Sequence, residues 1–172
     1  MIYFNGFALK GEEKFFSEYT IESDFCVVGF SYGAQKAFEY VYSGSSRVDR
    51  LILLSPAFFQ NHRKSFIRTQ LRYFKADQES YTKQFLKNIS YPSDIDLDRY
   101  VVGGTHAELE SLLSYVWDRE RILELVARGV TIEVFIGEED KIVDSAKSFE
   151  FFSDIVTTYL FKNIGHILLP LL

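Results

Sequence analysis

The chain has little sulfur and little histidine. One cysteine, Cys26, among 172 residues excludes an internal disulfide and any multi-cysteine zinc site, and it fits a reducing compartment. Three histidines, His62, His106 and His166, leave so few places for imidazole chemistry that each can be weighed singly. Basic charge is not in excess either: 19 Lys and Arg face 24 Asp and Glu, for a formal net charge of −5. That argues against a surface coated with phosphate-binding lysines, so nucleic acid is not an expected partner. Long apolar runs are missing as well. The longest, at residues 51–54 and 167–172, fall far short of the roughly 18 residues a membrane span needs. Residues 1–6 show no basic leader or small-residue cleavage site. The expectation is a soluble cytoplasmic protein with no membrane partner.

What is there is the composition of one globular domain, 47% hydrophobic and 25% charged. Seventeen Phe and 11 Tyr supply a large core or an aromatic-lined pocket. Apolar runs bounded by turn signals alternate with helical patterns. The runs are 2–4, 25–28, 51–54, 130–136 and 158–161. Helical spacing joins Phe15, Phe16 and Tyr19 in residues 11–20, then Ala34, Ala37, Phe38 and Val41. Leu123 and Val126 mark another helix, ended by Gly129, and a last one covers about 145–155. Five strands apolar on both faces, most separated by helices, predict an α/β fold with a parallel sheet covered on both sides. Residues 60–118 break the rhythm with a helical stretch far too long for a connection. Within it Thr105 and Glu108 fit a capping box. The expected organisation is a body of 1–59 and 119–172 carrying a helical lid at about 60–118.

Gly29-Phe30-Ser31-Tyr32-Gly33 is a G-x-S-x-G sequence between an apolar strand and an amphipathic helix. That context is what a nucleophile elbow requires. A serine hydroxyl needs a base, and His166 follows the last strand, where ligand sites of parallel sheets gather. An acid between them would fix the imidazole, and Asp140 follows the preceding strand. The order Ser, Asp, His is the order this elbow uses. Glu138, Glu139, Asp144 and Asp118 are rival acids; the plainer readings are solvated loop charges, with Asp144 a helix cap. His62 and His106 read as surface residues, and Cys26 as core. For an oxyanion, the backbone N–H of Tyr32 is one expected donor and that of Phe7, in the loop after the first strand, the other. No metal or cofactor is called for.

These residues resemble the α/β-hydrolase superfamily across essentially the whole chain. Asn5-Gly6-Phe7 stands where that family commonly has His-Gly-aromatic. Ser55-Pro56-Ala57-Phe58-Phe59, together with the elbow in so short a chain, is similar to the compact epsilonproteobacterial pimeloyl-acyl-carrier-protein methyl ester esterases of biotin synthesis. The resemblance implies a minimal hydrolase of about five strands. Only about 25 residues separate Asn5 from Ser31, too few for the family's additional strand and helix. The strands not accounted for lie together on one edge, so residues 2–4 would become an edge strand and a route to dimers.

Five basic residues and no acid stand between His62 and Ala76. Lys64, Arg68, Arg72 and Lys75 fall at i, i+4, i+8 and i+11, one stripe of a helix. The plain reading is a solvated face. The functional reading is a docking strip for an acidic acyl carrier protein, acting on encounter rate and orientation. The expected function is therefore a Ser-His-Asp carboxylesterase acting on a carrier-bound methyl ester. A general short-chain esterase, an acyl thioesterase and a non-catalytic carrier-binding module of the same fold are the alternatives.

Overall fold

The computed structural model describes residues 1–171. Five strands, β1 (Ile2–Phe4), β2 (Cys26–Phe30), β3 (Arg50–Leu54), β4 (Thr131–Gly137) and β5 (Thr157–Phe161), form one sheet. All pairs are parallel and the strands lie in chain order, which leaves β1 and β5 as its edges. Six helices accompany it among the described residues: α1 (Tyr32–Ser43), α2 (Lys64–Ala76), α3 (Gln78–Ser90), α4 (His106–Ser114), α5 (Arg119–Ala127) and α6 (Ser145–Ser153). No described helix is long and apolar enough to cross a membrane.

Alternation along the strands divides the core into two layers. On one face Val27, Leu51, Leu53, Ile132, Val134 and Ile136 pack under α1, α5 and α6, the crossover helices. On the other face Cys26, Val28, Phe30, Ile52 and Leu54 have no crossover helix above them. They are covered by Phe16, by Leu86 and Ile89 of α3, by Leu97 and Tyr100, and by Ile167 and Leu168. The stretch read as a lid is thus divided in use. Part of it supplies the second cover of the sheet, while α2 and α4 pack over Phe7, Tyr32, Ala57, Phe59 and Val143 at the strand ends.

Local chemistry explains most boundaries. Thr105 and Glu108 form the reciprocal capping box that opens α4. Asp118 accepts the N–H groups of Glu120 and Arg121 to open α5, and Asp144 accepts that of Lys147 to open α6. Gly129 follows α5 at φ 89°, beyond the reach of most side chains. One expectation is corrected. Residues 11–20 make only a short 3-10 helix, Glu12–Phe16, because burial of Phe16 against Phe30 and of Glu12 against Gly6 dictates their path. In α5 the buried residues are Ile122 and Leu125, while Leu123 and Val126 are 38% and 42% exposed. The helix itself stands where the sequence places it.

Trp117 ties insertion to body. Its indole N–H donates to the Ala57 carbonyl at 2.9 Å, its backbone N–H to Gln60 Oε1 at 2.7 Å, and its ring meets Phe38 and Phe152. Trp117→Ala should destabilise the protein by about 3–5 kcal/mol, read as a lower urea midpoint. A loss under about 1 kcal/mol would mean the insertion does not depend on this anchor.

Candidate active site

Strand β2 delivers the chain to Ser31, and α1 begins at the next residue. Ser31 has φ 56° and ψ −114°, a conformation that costs a non-glycine residue about 1–3 kcal/mol. Three hydrogen bonds hold it there. Its N–H donates to the Leu54 carbonyl at 2.9 Å, and its own carbonyl accepts from Ala34 and Ala57, each at 3.1 Å. The flanking glycines are obligatory on steric grounds: a Cβ on Gly29 would lie 2.2 Å from the Gly33 oxygen, and one on Gly33 1.9 Å from the Phe4 oxygen. The outcome is a hydroxyl fixed at the positive end of α1.

His166 lies in the loop after β5, with Nε2 2.9 Å from Ser31 Oγ. Its Nδ1 stands 2.6 Å from Asp140 Oδ2. The other carboxylate oxygen accepts the N–H groups of Ile142 at 2.7 Å and Val143 at 3.0 Å, which fixes the carboxylate. With Asp140 acting as acceptor, Nδ1 carries the imidazole proton, and Nε2 is left to receive one from Ser31. The side chains of Asp140 and His166 are both fully buried. Close backbone packing sets the spacing. A Cβ on Gly137 would meet the Gly165 oxygen at 2.2 Å, and one on Gly165 the Tyr91 oxygen at 1.8 Å.

The rival acids lie elsewhere. Glu138 is exposed, while Asp118 and Asp144 are spent as helix caps. His106 is exposed at the start of α4, and His62 stacks on Phe66 at 4.1 Å. Cys26 is buried in β2, and burial pushes its thiol pKa up, away from reactivity. Among the described residues, no three His, Cys, Asp or Glu side chains come together as a metal-ligand set.

Phe7 and Tyr32 line one cavity of about 250 Å³. Neither backbone N–H has a backbone acceptor among the described residues, and the cavity includes no member of the Ser-His-Asp set. A second cavity of about 580 Å³ lies beneath α2 and α4, lined by Phe59, Phe66, Phe85, Leu112 and Val143 and reaching Asp140. Tyr81 also lines it, its phenol pushed up to about 12 by burial. A larger groove of about 760 Å³ runs along α3 and residues 94–104 and contains no member of the Ser-His-Asp set. Ser31 is 1% exposed and His166 0%, so the site is shut as it stands. Lys64, Arg68, Arg72 and Lys75 are all exposed on α2, with no acidic partner within 4.0 Å among the described residues. Sequence patterns missed Glu12, a fully buried acid behind the Phe7 loop; nothing in an Glu-Glu-Lys stretch distinguishes it from surface charge.

No family model matches the chain, and no curated protein does. Solved structures do match in shape. An esterase from Exiguobacterium antarcticum is similar over 82% of this chain and 59% of its own, with TM-score 0.62 and 20% identity. MenH from S. aureus is similar over 96% of this chain and 85% of its own, with TM-score 0.62 and 15% identity. A bromoperoxidase from Bacillus anthracis is similar over 83% and 60%, with TM-score 0.64 and 15% identity. The chain therefore spans about three fifths of the length of two of these three. At such identities the likeness is one of architecture, and it agrees with the parallel five-stranded sheet and the serine turn at the end of β2. The chain has the α/β-hydrolase fold.

Proposed function

We propose that the chain is a serine carboxylic ester hydrolase whose substrate is a methyl ester at the far end of an acyl chain borne by an acyl carrier protein. One observation carries the first half: the continuous Ser31–His166–Asp140 hydrogen-bond path, with its terminal carboxylate held by two backbone N–H groups. The neighbours named as esterases or carboxylesterases, among them a naproxen esterase from Bacillus subtilis, support ester chemistry. The resemblance of Ser55–Phe59 and of the elbow to the biotin-pathway esterases supports the narrower substrate. The exposed basic stripe on α2, in a chain of net −5, supports an acidic carrier as partner.

In this reading Ser31 Oγ attacks the ester carbonyl as His166 Nε2 takes its proton. The N–H groups of Tyr32 and Phe7 receive the oxyanion. Collapse expels methanol, protonated by His166, and leaves an acyl-enzyme. Water, deprotonated by His166, then releases the acid, still attached to its carrier, and restores Ser31. The aromatic cavity beneath α2 and α4 holds the acyl chain, while the carrier docks on the outer face of α2. Reach then selects ester over thioester, because only the far end of the chain arrives at Ser31.

A fluorophosphonate should label Ser31 in the wild type and nothing in Ser31→Ala; an unlabelled wild type leaves only the binding module. Asp140→Asn should lower kcat by roughly 10⁴-fold, whereas Glu138→Gln should leave it unchanged. With a carrier-linked methyl ester, the expected product is the free acid on intact carrier. Release of the whole acyl chain from the carrier would identify a thioesterase instead. Arg68→Glu with Arg72→Glu should slow the carrier substrate at least tenfold and spare a p-nitrophenyl ester. Equal loss on both substrates would remove the docking strip from the proposal.

A further inference from the structure

Glu12 is 0% exposed, and a carboxyl group is seldom buried so completely without a cationic partner. No Lys, Arg or His lies within 4.0 Å of it among the described residues. Its principal contact is with backbone: Oε1 accepts the N–H of Gly6 at 2.7 Å, with the Tyr3 hydroxyl more distant at 3.4 Å. Oε2 has no partner. Burial raises the carboxyl pKa above its usual range, so the site bears a real desolvation cost. A leucine or methionine would fill the space more cheaply if packing were the only requirement.

What Glu12 grips lies one residue before Phe7. The Gly6 carbonyl accepts from the Leu9 N–H at 3.3 Å, so Gly6 is restrained through both its N–H and its C=O. The peptide plane between Gly6 and Phe7 contains that same carbonyl and the Phe7 N–H, and its orientation follows. Neighbouring contacts reinforce it. Asn5 Oδ1 accepts from the Gly11 N–H at 3.0 Å, and a Cβ on Gly6 would approach the Phe30 ring to 2.9 Å. The Phe7 ring is itself wedged edge-on between Phe74 and Phe85.

We propose that Glu12 is a positioning residue for the oxyanion site: by holding the Gly6 N–H it sets the Gly6–Phe7 peptide so that the Phe7 N–H meets the transition-state oxygen formed at Ser31. The proposal rests on the esterase reading above. It assigns Glu12 no contact with substrate and no proton transfer.

The test compares wild type, Glu12→Gln, Glu12→Leu and Glu12→Asp on a p-nitrophenyl ester. Glu12→Gln keeps an acceptor at the Oε1 position and should retain kcat within about threefold. Glu12→Leu removes the acceptor and Glu12→Asp draws it back by one methylene. Both should lower kcat roughly 10–100-fold with KM within twofold, the scale expected for a misplaced oxyanion donor. A trifluoromethyl ketone, which forms an oxyanion on Ser31, should weaken by the same factor, while a non-reactive amide competitor should bind as before. Thermal unfolding accompanies each assay. Wild-type kcat in a folded Glu12→Leu or Glu12→Asp, or a loss borne equally by the amide competitor, overturns the proposal. If Glu12→Leu fails to fold, Glu12→Asp decides by the same split, and failure of both to fold assigns Glu12 to stability alone. A wild type that hydrolyses no ester defeats the underlying reading instead, and is seen before any variant is made.

Discussion

The site depends on a backbone conformation that Ser31 would not adopt alone. At φ 56° the residue is held by a bond from its N–H to the end of β3 and by two bonds to its carbonyl, one of them from Ala57 beyond β3. The parallel register of β2 with β3 therefore reaches directly into the chemistry: Phe30 opposite Leu54 brings the Leu54 carbonyl under Ser31. A slip of one residue would turn Val27 and Val28 to the wrong faces and release the serine together. Stability of the sheet centre and strain at the elbow are one device.

The same economy recurs in the loops after β4 and β5. Gly137 and Gly165 allow backbone to lie on backbone, and this brings Asp140 and His166 from separate strands into one hydrogen-bonded line. The cluster is buried, which strengthens each of its hydrogen bonds and makes any unmatched one costly. Asp140 meets that demand with three acceptor contacts, whereas Glu12 leaves one oxygen unmatched.

The strands and the elbow were legible because both are short-range signals: a continuous apolar run, a glycine pair at fixed spacing, an amphipathic helix starting at once. Capping at Thr105 and the Gly129 stop were readable for the same reason. What stayed hidden was set by contacts distant in sequence. Whether Ile122 or Leu123 turns inward depends on how α5 rests on β4, and both choices obey helical periodicity. Phe16 and Glu12 abandon a regular helix for partners in β2 and the β1 loop. The partition of residues 60–118 between covering the sheet and covering the strand ends is likewise a fact of packing, absent from any local pattern.

That partition bears on how the shut site opens. An appended lid can swing as a rigid flap, because the body beneath it is already finished. Here Leu86, Ile89, Leu97 and Tyr100 seal Val28, Ile52 and Leu54, and residues 8–10 pair with 100–102 beside the Phe7 loop. Lifting the whole insertion would bare one face of the sheet. A parting of α2 from α4, with α3 seated, would leave that face covered. The insertion is for the same reason a poor module for evolutionary exchange: a replacement would have to rebuild half the core along with the specificity of the site.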